Sequence, residues 1–83
     1  MKVLSQDGQI LTDGVLEILP EYYTEEEVEE TGVDREEIKG WVIAHPCIGR
    51  ILRMGTYESY EEAKNAMTKI VNACANGETV YCL

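Results

Sequence analysis

Apolar runs in this chain are short and broken at glycine or proline, and one stretch alone keeps a helical period. Ala63, Ala66, Met67, Ile70, Val71 and Cys74 recur at spacings of three and four. That is one apolar stripe of an amphipathic helix, with Lys64, Asn65, Thr68, Lys69 and Asn72 lying off it. Ser59 with Glu62 three residues on forms a capping box, and Asn76-Gly77 supplies a stop. The spacing predicts a helix over 58–76, and Thr79 to Leu83 reads as a closing strand.

The rest of the chain reads as strands. Lys2 to Ser5 is β-rich, Asp7-Gly8 marks a tight turn, and Ile10 to Thr12 resumes the extended pattern. Asp13-Gly14 is a second turn. Val15 to Leu19 reads as a strand ended by Pro20, which cannot donate to a ladder. Trp41 to His45 and Arg50 to Tyr57 read as two strands around a turn at Pro46 to Gly49. Both strands are apolar on both faces, so each face of the sheet needs cover.

Between these halves the pattern turns polar. Thr24-Glu25-Glu26-Glu27 is another capping box, with acidic residues placed to favour the helix dipole. A short helix over 25–31 is predicted, stopped by Gly32. Asp34-Arg35-Glu36-Glu37 repeats the cap pattern for a second helical turn ending at Gly40. The expectation is one α+β domain over residues 1–83. It is a small, mainly antiparallel β-sheet with one long C-terminal amphipathic helix on one face. A short acidic helical insertion occupies about residues 21–40.

Charge sharpens the picture. Glu21 to Glu37 holds nine acidic residues and one basic, a net of −8 within a chain of net −9. The remaining residues are close to neutral. Hydrophobic content of 45 % and charged content of 28 % are those of a folded domain rather than an acidic tail. The seven Lys and Arg are scattered, which argues against direct nucleic-acid binding and against an anionic membrane. The start turns polar before a leader-length apolar run forms, and no stretch reaches membrane-span length, so a cytoplasmic protein is expected.

Leu4-Ser5-Gln6-Asp7-Gly8 and Gly55-Thr56-Tyr57-Glu58-Ser59-Tyr60-Glu61-Glu62-Ala63-Lys64 carry a resemblance. The chain resembles a group of small proteins of Firmicutes and their phages. These begin with a Ser-Gln-Asp-Gly turn and close with a Tyr-x-Ser-x-Glu-Glu-x-Ala-like helix start, an amphipathic helix and a short strand. The resemblance covers residues 1–10 and 49–83; the acidic segment is an addition to it. It implies no particular activity and carries over no catalytic residue. Its phage link favours an inhibitor of host defence nucleases, anti-CRISPR inhibitors included.

No catalytic arrangement emerges. Cys47, Cys74 and Cys82 are odd in number and include no Cys-x-x-Cys pair, so they read as small apolar side chains. His45 and Cys47 with Cys74 and Cys82 are zinc-type ligands, but no close ligand clamp joins them. A Cys47–His45 nucleophile pair lacks reach along a strand and an orienting group. The carboxylates lack the spacing of a calcium loop, and no glycine-rich phosphate cradle exists. Neither metal nor cofactor is expected, and no enzymatic activity. The candidate partner-binding residues are Tyr22, Tyr23, Glu25, Glu26, Glu27, Glu29, Glu30, Asp34, Glu36 and Glu37. Aromatics beside carboxylates suit an interface with a basic protein, such as one that binds nucleic acid; a solvated face that keeps the protein soluble is the plainer reading. The alternative is a small homodimeric regulatory or housekeeping domain, its apolar sheet face around Trp41 and Ile51 buried against a second copy.

Overall fold

The computed structural model describes residues 1–83. Its elements in chain order are β1 (Lys2–Leu4), β2 (Leu11–Thr12), β3 (Glu17–Tyr22), α1 (Glu25–Thr31), β4 (Ile38–Cys47), β5 (Arg50–Tyr57), α2 (Tyr60–Ala75) and β6 (Val80–Cys82). The fold is α+β, with two helices and two mainly antiparallel three-stranded sheets rather than one sheet. The first sheet runs β2-β1-β6 and the second β3-β4-β5. Only β6 pairs in parallel, beside β1.

A small core joins the sheets. Val3 of β1, Ile43 of β4, Met54 of β5 and Ile70 of α2 form one buried cluster. Leu16, Ile18, Tyr57 and Met67 pack around it. Trp41 stacks edge-on against Tyr60, centroids 5.1 Å apart, and so ties β4 to the start of α2.

The strands depart from the sequence pattern at three places. β3 runs through Pro20, which stands opposite Trp41. It can do so because β3 is an edge strand, where a missing N–H removes no second ladder. β4 begins at Ile38, not Trp41, because Gly40 and Ile38 pair with Glu21 and Tyr22. It also extends through Pro46 to Cys47, leaving only Ile48 and Gly49 in the turn. At Met54 an extra residue enters β5, since Ile43 faces Gly55 and Ala44 faces Arg53. This bulge turns Met54 into the core.

The second face of β4 is covered in part by side chains of its flanking strands, with Ile51 of β5 left exposed. Val42 and Ala44 are buried there. Their cross-strand neighbours are Leu19 and Thr56 for Val42, and Glu17 and Arg53 for Ala44. Small side chains on a central strand are shielded by the longer ones flanking them.

On α2 the buried stripe is Ala63, Ile70 and Ala73, with Ala66 and Met67 half-buried. The predicted stripe erred at its C-terminal end. Val71 and Cys74 are exposed, because the helix turns Ala73 inward and rolls them to the margin. Cys82 is exposed too, so neither cysteine is core packing.

The Ser5–Gly8 turn fastens the two sheets together. Ser5 is buried, its hydroxyl donating to Asp7 Oδ1 and accepting from the Ile10 N–H at 3.0 Å. Gln6 then reaches the free edge of β5. Its backbone N–H donates to the Met54 carbonyl at 2.8 Å, and its side-chain Oε1 accepts from the Thr56 N–H at 2.8 Å. Gly55 lies between, where a Cβ would stand 3.1 Å from the Gln6 Cδ and 2.8 Å from the Tyr57 hydroxyl.

Gln6→Ala removes one of these two bonds and should cost about 0.5–1.5 kcal/mol. Each kcal/mol is worth roughly 4–8 °C in Tm for a domain of this size, so thermal unfolding by circular dichroism measures the loss. A second prediction concerns acid. Hydrogen bonds from Ser5 and then from the Gln9 N–H hold the Asp7 carboxyl below its ordinary 3.8. A depressed carboxylate stabilises the fold above its unfolded pKa, and the effect fades as pH falls through the folded value. Acid titrations of Tm should therefore show a shallower acid limb for Asp7→Asn than for the parent chain.

Candidate acidic interface

α1 is a short helix made by its ends. Seven residues are too few for a helix to hold in water by propensity. Thr24 caps it: its hydroxyl accepts from the Glu27 N–H at 3.2 Å, and the Glu27 carboxylate accepts from the Thr24 N–H at 3.1 Å. At the other end Gly32 takes a left-handed φ of 73°, and its N–H donates to the Val28 carbonyl at 2.9 Å. No residue of α1 is buried, and the helix makes no substantial packing against another element.

The second predicted helical turn does not form. Asp34 Oδ1 accepts from the Glu36 N–H at 3.0 Å, and the Asp34 carbonyl accepts from the Glu37 N–H at 3.0 Å. This side-chain bond to its own backbone closes a tight turn, and the pull of the β3 ladder makes Ile38 a strand residue.

All three ion pairs of the protein involve this segment. Lys39 Nζ lies 2.7 Å from Glu27 Oε2, Arg53 lies 3.1 Å from Glu21, and Arg35 lies 3.6 Å from the exposed Glu25. Lys39 also stands 5.8 Å over the Tyr23 ring. Its bond to Glu27 holds the Glu27 carboxyl below its ordinary 4.5 and the Lys39 ammonium above its ordinary 10.5. Both partners are therefore charged across the neutral range.

Three of the nine carboxylates are thus paired with a cation, leaving Glu26, Glu29, Glu30, Asp34, Glu36 and Glu37 without one. All six are exposed. Glu26, Glu29 and Glu30 share one outward face of α1, at the three- and four-residue spacing that makes neighbours. Glu27 and Val28 are half-buried and mark the opposite side. Tyr22 is half exposed at the end of β3, and Tyr23 is half-buried beneath Lys39. The structure thus gathers the ten predicted residues at one end of the second sheet, where α1 bridges β3 and β4. It divides them by role. Glu25 and Glu27 are engaged within the chain, and Tyr23 supports Lys39. Sequence reasoning missed Glu21, Lys39 and Arg53, which settle which carboxylates are spent internally. Arg53 is thirty-two positions from Glu21 in the chain, and no local pattern joins them.

The zinc-type residues are not brought together; no three His, Cys, Asp or Glu side chains form a metal-sized group. His45 Nδ1 donates to the Val15 carbonyl at 2.7 Å, and its ring packs on Gly14, where a Cβ would lie 2.1 Å from it. His45 is a structural contact between β4 and the segment before β3. No helix is long and apolar enough to cross a membrane.

Thr24→Ala deletes the N-cap and should destabilise α1 by about 1 kcal/mol. Because α1 lies outside the core, the expected result is local. Hydrogen exchange at the Val28 amide should accelerate several-fold while the core amides of β4 keep their protection.

No protein-family model matches the chain, and neither a curated protein nor a solved structure is significantly similar to it.

Proposed function

We propose that the chain is a non-catalytic binding module whose acidic surface occupies a basic, nucleic-acid-binding surface on a partner protein. One observation supports this above the others: six exposed carboxylates are left uncompensated on and beside α1, and those in its last turn weaken the helix. Glu26 and Glu30 repel at i, i+4, and Glu29 and Glu30 oppose the negative C-terminal end of the helix dipole, where no basic residue stands. A helix kept only for solubility would be steadier with a lysine in its last turn. The capping box and the Gly32 cap hold the segment in shape against that repulsion.

The charge suits the role. A partner surface that neutralises phosphates with Lys and Arg meets the same sign of charge on Glu26, Glu29 and Glu30. Tyr22, half exposed at the end of β3, offers a ring of the kind that interfaces favour as an anchor. The phage-linked resemblance of the Ser5–Gly8 turn and the α2 start makes an inhibitor of a nuclease, of the anti-CRISPR type, the specific form of this proposal.

The test uses a variant with Glu26, Glu29, Glu30, Glu36 and Glu37 changed to Gln, which retains Glu27 and so the capping box. The parent chain, immobilised, should capture basic nucleic-acid-binding proteins from a bacterial host lysate. Added duplex DNA or high salt should release them, because the contact is ionic and screened. The variant should capture none. Equal capture by both chains, or capture indifferent to DNA, refutes the proposal.

A further inference from the structure

One cavity lies at the seam of the two sheets, apart from the acidic segment. It holds about 370 Å³, toward the small end of small-molecule sites. Glu62, Asn65, Ala66 and Lys69 line one side of it, at the three- and four-residue spacing of a single helix face. Gln6, Tyr57, Tyr81 and Leu83 line the other. No residue of the segment 21–37 takes part.

The polar groups here divide into those already engaged and those left over. The Gln6 side-chain oxygen is taken by the Thr56 N–H, which leaves its NH2 as a donor with no partner. Glu62, the one carboxylate of the lining, accepts from the Glu58 N–H at 3.1 Å and sits in the first turn of α2, where the helix dipole favours it. The Tyr57 and Tyr81 hydroxyls, the Asn65 amide and the Lys69 ammonium have no partner within the chain. Lys69 sets the sign. Lys39 and Arg53, which line neighbouring cavities, are held in ion pairs with Glu27 and Glu21; Lys69 is in none.

The bare Gly55 brings the Tyr57 hydroxyl and the Gln6 amide to the same spot. Burial, and then the neighbouring Tyr81, raise the Tyr57 phenol above its ordinary 10.0. It therefore keeps its proton and stays a donor at neutral pH.

We propose that this cavity binds a small monocarboxylate with a flat, apolar body. The Lys69 ammonium and the uncommitted hydroxyl and amide donors take the carboxylate. The two phenol rings, Ala66 and Leu83 take the body, as aromatic faces favour. Charge narrows the class. One cation among neutral donors matches one negative charge. A phosphate dianion would meet the repulsion of a chain of net −9, with Glu58 and Glu62 at the cavity's side. A cationic ligand would meet Lys69, and a wholly apolar one would strip water from donors it cannot satisfy. This inference does not depend on the acidic surface having a protein target.

Benzoate is the probe. Titrated into the isotope-labelled parent chain at millimolar concentrations, it should move the amide signals of Gln6, Asn65, Lys69 and Tyr81 along one saturable curve in two-dimensional NMR. Inorganic phosphate and benzylamine should give no saturable shift there. Lys69→Gln should weaken benzoate several-fold, and Tyr81→Phe, which keeps the ring and loses the donor, should weaken it as well. Lys64→Gln removes the same charge from an exposed position of the same helix outside the cavity, and should leave the affinity unchanged. A parent chain with no saturable shift overturns the proposal. So does tighter binding of phosphate than of benzoate, or an equal loss in Lys69→Gln and Lys64→Gln, which would report charge alone. None of these results touches the capture experiment with the glutamine variant, so the two proposals fail separately.

Discussion

Gln6 acts as a one-residue strand. Its backbone N–H and its side-chain oxygen occupy the two positions on β5 that a neighbouring strand would fill, at Met54 and Thr56. Three conditions must coincide for this. The bulge must turn Met54 inward, Gly55 must lack a side chain, and the Ser5–Asp7–Ile10 bonds must hold the turn in the right attitude. With the fastening made, Val3 is brought over Ile43 and Met54, and Ile70 of α2 closes the cluster. A core with so few large buried side chains cannot orient two separate sheets by area alone. Directional hydrogen bonds at the seam complete what the hydrophobic contacts begin.

The same scaffold explains why the acidic segment can be so exposed. β3 and β4 are long-range partners whose pairing fixes the two points between which the chain must turn, at Tyr22 and Ile38. Everything between them is free of core duties. That freedom allows carboxylates to gather at densities a buried element could not tolerate. Glu27–Lys39 and Glu21–Arg53 secure the segment to β4 and β5. The remaining charge faces outward on a helix that its caps keep in register.

The charged surface sits where the second sheet ends, bordered by the exposed side chains of Tyr22 and Ile38. α2 packs on that same sheet, against β4, β5 and β3, with Ala63, Ile70 and Ala73 buried. Its sixteen residues leave Val71 on the outer side, in solvent.

Local signals in the sequence determined local structure. The two N-caps at Thr24 and Ser59, the Asp7-Gly8 turn and the extent of α1 could all be read from neighbouring residues. Each is decided by bonds within a few positions of chain. The concentration of charge in 21–37, and so the choice of candidate surface, was equally plain. Tertiary structure decided whatever depends on distant partners. It split the strands into two sheets, carried β3 through Pro20, started β4 at Ile38, and replaced Cys74 with Ala73 in the helix's buried stripe. It also determined which carboxylates are neutralised, because Arg53 and Lys39 reach Glu21 and Glu27 only after β3, β4 and β5 have paired. A chain writes its caps and turns in adjacent residues. Its edges, bulges and ion pairs exist only once strands far apart in sequence lie side by side.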